Sequence, residues 1–243
     1  MRKMVLVSLS ALLALTPIAI AQSASFGVSQ HGKPVGTASF TFTSTPHGYE
    51  SSSLVRIKME KLEYSLSKSE RLSPANRLRN VQLSATVNGR AVLITAAPDT
   101  APNATEILLD TSADGRKTDT RLPAHAAAVF LPDFDPGALE TMLALAVAHN
   151  NNDLWAIIPK HAGSVEPIKL ATHADEQGTL DGKPIVIHHL VATINGLPTE
   201  LFSGPENQLL QAELPQKGFA LVRNGFVLTP PAKAGAPPAE TAN

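Results

Sequence analysis

The stretch Leu54-Val55-Arg56-Ile57-Lys58-Met59-Glu60-Lys61-Leu62-Glu63-Tyr64-Ser65-Leu66 alternates apolar and polar residues over most of its length. Val55, Ile57 and Met59 interleave with Arg56 and Lys58, and Leu62, Tyr64 and Leu66 interleave with Lys61, Glu63 and Ser65. Successive side chains of a strand point to opposite faces, so each run is a strand with one dry and one wet face. Val81, Leu83, Ala85 and Val87 repeat the pattern against Gln82, Ser84 and Thr86, then run straight into Asn88-Gly89. Asp114-Gly115, Asp181-Gly182, Asn195-Gly196 and Asn224-Gly225 are further pairs of that type. Asn and Asp tolerate positive φ and glycine takes it freely, which suits these pairs to hairpin turns. The stretch therefore belongs to a half-buried antiparallel meander.

Toward the C-terminus, Pro184 to Ile194 is apolar on both parities, which predicts a central strand covered on both faces. A strand over Gln208 to Leu214 and a hairpin from Phe219 to Leu228 around Asn224-Gly225 follow. One segment has a helical period: Leu139, Met142, Leu143, Ala146 and Val147 form an apolar stripe, with Asp135 as N-cap and Pro136 at the first helical position. The helix is expected over residues 136–149, ended by Asn150-Asn151-Asn152. Ser73-Pro74 has the same start signal for a shorter helical turn. The fold class is mainly β: a strongly curved antiparallel sheet, an open or half barrel, packed around this one helix.

The 243 residues carry 20 Lys+Arg against 21 Asp+Glu, a balance that argues against nucleic-acid binding by phosphate neutralisation. The absence of cysteine removes thiol nucleophiles, disulfides and thiolate metal sites. Arg2 and Lys3, the apolar run from Met4 to Leu15 and the small residues of Ala19-Ile20-Ala21 predict an export signal over residues 1–21, cleaved after Ala21. That run is shorter than the roughly 20 residues a membrane-spanning helix needs, and no integral membrane segment is expected after cleavage. Residues 22–229 are expected to form a single β-rich domain in the periplasm or outside the cell. Residues 230–243, PPAKAGAPPAETAN, have no apolar period and are expected to be a disordered tail.

Chemistry-bearing motifs are sparse. Asp110-Thr111-Ser112-Ala113, after Ile107-Leu108-Leu109, resembles the signature of retropepsin-like aspartic proteases, and implies a dimer that would pair two such aspartates. His188 and His189 are adjacent on a strand and point to opposite faces. His125, His149, His161 and His173 lie in separate segments without metal-ligand spacing, so no metal site or cofactor is expected. No nucleophile elbow or phosphate loop is present, Ser203-Gly204-Pro205-Glu206-Asn207 reads as a turn, and Trp155 reads as a strand-packing residue.

The order of elements, with a strand containing His31-Gly32-Lys33-Pro34-Val35-Gly36 and a closing Asn207-Gln208-Leu209-Leu210-Gln211-Ala212-Glu213-Leu214, resembles exported bacterial half-barrel proteins of unknown function. Those are similar in shape to the periplasmic lipoprotein-carrier (LolA-like) proteins. The resemblance implies a curled sheet around helix and an apolar cavity able to hold lipid chains, and it carries over no catalytic residue. The leading expectation is a non-enzymatic envelope protein that binds a lipid or lipidated chain in a sheet-helix cleft. The expected ligand-facing set is Val55, Ile57, Leu62, Tyr64, Leu83, Leu139, Met142 and Leu143. The same residues suit a filled core, and two other readings stand beside the first. One is a structural or interaction module for an envelope protein partner; the other is an aspartic hydrolase using Asp110.

Overall fold

The computed structural model describes residues 20–101, 104–160 and 162–230. The expected export signal up to residue 19, the tail beyond residue 230 and His161 lie outside the described residues. The expected cleavage point after Ala21 falls just inside the first strand.

The first eight strands are β1 (Ile20–Gln30), β2 (Lys33–Thr45), β3 (Gly48–Met59), β4 (Leu62–Leu72), β5 (Leu78–Val87), β6 (Arg90–Pro98), β7 (Glu106–Ala113) and β8 (Arg116–Pro123). After them come β9 (Ala128–Phe130), α1 (Pro136–Ala148), β10 (Leu154–Ile158), β11 (Ser164–Thr172), β12 (Glu176–Leu180) and β13 (Lys183–Ile194). The chain ends with β14 (Leu197–Ser203), β15 (Leu209–Leu214), a 3-10 turn over Pro215–Lys217, β16 (Phe219–Arg223) and β17 (Phe226–Leu228).

Strands β1 to β8 form a continuous antiparallel meander. The other half runs β16, β15, β14, β13, β11, β10, β9, and β1 joins the two by pairing with β16 on its second edge, Phe26 opposite Arg223. The result is one large, open, curved sheet. It is mixed and not wholly antiparallel as expected, because β9 and β10 are parallel, with Trp155 opposite Ala128. Parallel neighbours require a crossover connection, and α1 supplies it.

Asn88-Gly89, Asp114-Gly115, Asp181-Gly182 and Asn195-Gly196 all take positive φ at both residues and close hairpins as the sequence predicts. His31-Gly32 does the same, so the expected strand through His31 to Gly36 is divided: His31-Gly32 is the turn between β1 and β2, and Lys33 to Gly36 open β2. At Gly36 a Cβ would overlap the Arg56 carbonyl oxygen, which explains glycine where β2 presses on β3. Ser73-Pro74 opens no helix: the Ser73 hydroxyl accepts from the Arg77 N–H at 3.2 Å and caps the tight turn from β4 to β5.

The core fills the concave side. Phe40 and Phe42 of β2, Val55 and Ile57 of β3, Leu66 of β4 and Val81 and Leu83 of β5 are buried against α1, β9 and β10. The helix is buried around nearly its whole circumference from Pro136 to Leu143, not along one stripe. Leu145, off the expected stripe, is fully buried, while Val147, on it, is 56% exposed. A helix apolar all round is a core element, and only Glu140 and Thr141 interrupt this one in its buried turns.

The strand expected to be covered on both faces, β13, serves two cores in succession. Leu190, Ala192 and Ile194 face the main core, whereas Ile187 joins Phe202, Leu210 and Phe226 in a smaller cluster, and Val186 is exposed. The buried parity changes at His188-His189, where β13 exchanges β11 for β12 as its neighbour. From there β12, the start of β13 and β17 cover the outward side chains of β14 and β15.

Candidate functional site

At the end of the barrel where α1 begins, a cavity of about 450 Å³ opens between helix and sheet. Phe134 and Leu139 wall it on the helix side, and Leu197, Leu214, Phe219 and Leu221 on the sheet side. Lys160 and Lys217 stand among its lining residues, and Lys160 is ion-paired with Asp133. Small-molecule sites typically measure about 300–1,000 Å³ and combine apolar walls with few polar groups. Phe134 takes φ 57°, a conformation costly for a bulky residue, and its ring packs edge-on to Phe219 at 4.7 Å and Tyr64 at 6.2 Å. The backbone twist there turns Phe134 into the cavity wall and the next residue, Asp135, into the barrel.

Beneath this floor lies a buried ionic trio. The inward parity of β4 runs Leu62, Tyr64, Leu66, Lys68, Glu70, Leu72, so two charged side chains enter the core in apolar register. Lys68 Nζ stands 3.0 Å from Glu70 Oε2 and 2.7 Å from Asp135 Oδ2, with all three side chains essentially without solvent exposure. Nζ also donates to the Phe130 carbonyl at 3.3 Å, and Glu70 Oε1 accepts from the Phe130 N–H at 2.9 Å. Asp135 caps α1: its Oδ1 accepts from the N–H groups of Gly137 at 2.9 Å and Ala138 at 3.1 Å. Its Oδ2 meets Nζ as a close ion pair outside hydrogen-bond geometry. Burial alone would lower the Lys68 ammonium, but the charges of Asp135 and Glu70 outweigh it and hold the group above its ordinary value of 10.5.

Two further buried groups surround the helix. Glu140 accepts from the Leu209 N–H at 2.7 Å; burial pushes its carboxyl up to about 7, against the opposing pull of that bond and of Arg223. Tyr64 donates weakly to the Asp133 carbonyl at 3.5 Å, and burial, then the charges of Asp133 and Asp135, raise its phenol above the usual range.

The eight residues expected to face a ligand are dispersed. Leu139 lines the cavity, and Tyr64 touches it through Phe134. Leu143 borders a separate recess of about 380 Å³ near the other end of α1. Val55, Ile57 and Met142 are buried in the packed core, Leu83 is buried on β5, and Leu62 is half-buried at the start of β4. Sequence reasoning missed Phe219 and Leu221, whose parity in β16 was readable, and Phe134, whose loop carries no period. It also missed Lys68 and Glu70, although they fall on the dry parity of a strand it had identified.

His188 faces Asp175 at 3.0 Å, and His189 lies between Glu176 at 2.9 Å and Glu200 at 2.7 Å, stacked on His173 and Phe202. Trp155 stacks on His125. Asp110 is exposed on β7, opposite Thr95 and Asp119, and lines neither the cavity at the start of α1 nor the recess near its other end. Among the described residues no helix is long and apolar enough to cross a membrane.

No protein-family model matches the chain, and no curated protein matches it. Among solved structures it is similar to a β-barrel-like protein of the domain of unknown function DUF1849 from Brucella abortus. That likeness has 9% identity, a TM-score of 0.56, and covers 89% of this chain and 99% of the other. At that identity the likeness is one of fold: this chain shares a barrel-like architecture with a protein of unknown function.

Proposed function

We propose that the chain is an exported, non-enzymatic protein of the cell envelope that holds an apolar ligand, a lipid or a lipidated chain, in the cavity beside the start of α1. The observation that carries this reading is the combination of a packed core below with an apolar recess of about 450 Å³ above it. Phe134, Leu139, Leu214 and Phe219 offer a dry surface, and Lys217, beside the Lys160–Asp133 ion pair, offers a cation for a polar or anionic head group. Of the residues expected from sequence, Leu139 lines this cavity and Tyr64 backs its wall through Phe134. A second reading, an interaction module, draws on β8, which among the described residues pairs with β7 on one edge only. Arg116, Lys117, Asp119 and Arg121 lie along that strand, and charge there discourages strand addition, which favours the cavity.

The test is mass spectrometry of an organic extract of the protein purified without detergent from its native envelope, beside an unrelated exported control. A stoichiometric lipid absent from the control and reduced in Leu197→Trp, which narrows the mouth, is expected. An extract identical to the control, together with no saturable binding of a fluorescent fatty acid, would refute it.

A further inference from the structure

We propose that the protein joins Lys68 to Asp135 through a side-chain amide bond of its own making, with Glu70 relaying the protons. Three features of the buried trio carry this. The amine nitrogen is already 2.7 Å from the carboxyl oxygen that would leave. The other oxygen, Oδ1, is held by the two N–H groups of Gly137 and Ala138, donors placed where negative charge develops when a carboxyl carbon is attacked. A second carboxylate, Glu70, touches the same nitrogen at 3.0 Å and is pinned through its far oxygen by the Phe130 N–H. That is the arrangement of nucleophile, oxyanion donors and proton carrier that amide formation requires. Holding the reacting groups in contact and away from water raises their effective concentration to about 10⁵–10⁸ M in well-oriented systems.

The step balances without a co-reactant. One proton passes from the Lys68 ammonium by way of Glu70 to Asp135 Oδ2, leaving a neutral amine beside a neutral acid. The nitrogen lone pair forms the Nζ–Cγ bond while the carbonyl electron pair moves onto Oδ1. Nζ then gives a second proton to Glu70, which passes it to Oδ2; the Cγ–Oδ2 bond breaks, water leaves, and the C=O double bond returns at Oδ1. Nothing is oxidised or reduced, and Glu70 is regenerated. Because Asp135 borders the cavity, the released water has a way out. The neighbouring carboxylates hold Lys68 in its charged form, so the first proton transfer is uphill and the link is expected to accumulate slowly after folding. In a chain with no cysteine, such a link would close the loop from β4 to the start of α1 that no disulfide can close.

The experiment is proteolysis and mass spectrometry of the purified full-length protein after prolonged incubation in its folded state. The expected product is one branched species containing the Lys68 and Asp135 peptides, lighter than their sum by one water. Glu70→Gln is expected to form it at least about 100-fold more slowly. Lys68→Arg is expected not to form it, and Asp135→Asn to give the same branched species with loss of ammonia in place of water. Separate peptides of unreduced mass in the folded wild-type protein, with the Lys68 amine open to acetylation after denaturation, would overturn the proposal. That readout uses the unsubstituted chain, so it stands even if a variant fails to fold.

Discussion

Glu140 sits 3% exposed on the helix, and its fate with pH follows from one inequality. Its carboxyl titrates at about 7 when folded against an ordinary 4.5, so between those values the folded chain keeps a proton that the unfolded chain releases. Stability from this group is therefore greatest below pH 4.5 and declines as the pH rises to about 7, by about 3 kcal/mol. Glu140→Gln retains an oxygen for the Leu209 N–H and removes the slope. Urea denaturation across the pH range should find it more stable than the parent by about 2–3 kcal/mol above neutrality and equal to it in acid. Lys68 has the same sense in a higher pH window: its raised value means that its contribution is complete below 10.5 and is lost only in more alkaline solution. Where the link to Asp135 has not formed, Lys68→Met leaves Glu70 and Asp135 buried without their counter-ion. A loss of about 3–5 kcal/mol in the same assay is expected. A pair of charges on the dry parity of β4 was visible in the sequence. Asp135 was equally visible as a cap. Their meeting was not, because Asp135 lies 67 positions after Lys68 and only the curling of the sheet brings them together.

For the helix, the sequence located α1 and its cap correctly but assigned its faces by a stripe that the barrel does not respect. A helix against one sheet buries one side; α1 links the paired strands β9 and β10 and packs inside the curled sheet against β2, β3, β9, β10 and β15, so it is enclosed from several directions. Substitutions on either side of the discrepancy separate the two pictures. Leu145→Ala should cost about 2–5 kcal/mol by emptying a fully packed position, while Val147→Ala should stay within about 0.5 kcal/mol, both read by thermal or urea unfolding. Equal losses would restore the stripe. The hairpins were the most legible elements, since Asn-Gly and Asp-Gly dictate their own geometry. The double life of β13 was illegible because apolar residues on both parities report burial without saying which core each side joins.

For the whole molecule, the meander could be read from local alternation, whereas the pairing of β1 with β16 could not, since nothing in either strand names a partner 197 residues away. That seam makes β1 an inner strand, hydrogen-bonded on both edges at Phe26 to Gln30. Amide exchange at these positions should require global unfolding, while β8, paired on one edge, should exchange sooner; comparable rates in both would contradict the topology. Gly36→Ala, which forces β2 away from the Arg56 carbonyl beside this seam, should lower stability by more than about 2 kcal/mol by chemical denaturation.

The seam also sets a timetable. Synthesis proceeds at about 5–20 residues per second, so β1 must wait on the order of 10 s or longer for β16 to be made. Throughout that interval the N-terminal meander ends in a strand whose second edge has nothing to pair with, and the pocket for α1 stands without its far wall. The nascent chain is thus at its most vulnerable just before completion. A chain truncated before Phe219 should remain in the custody of chaperones instead of settling into half a barrel.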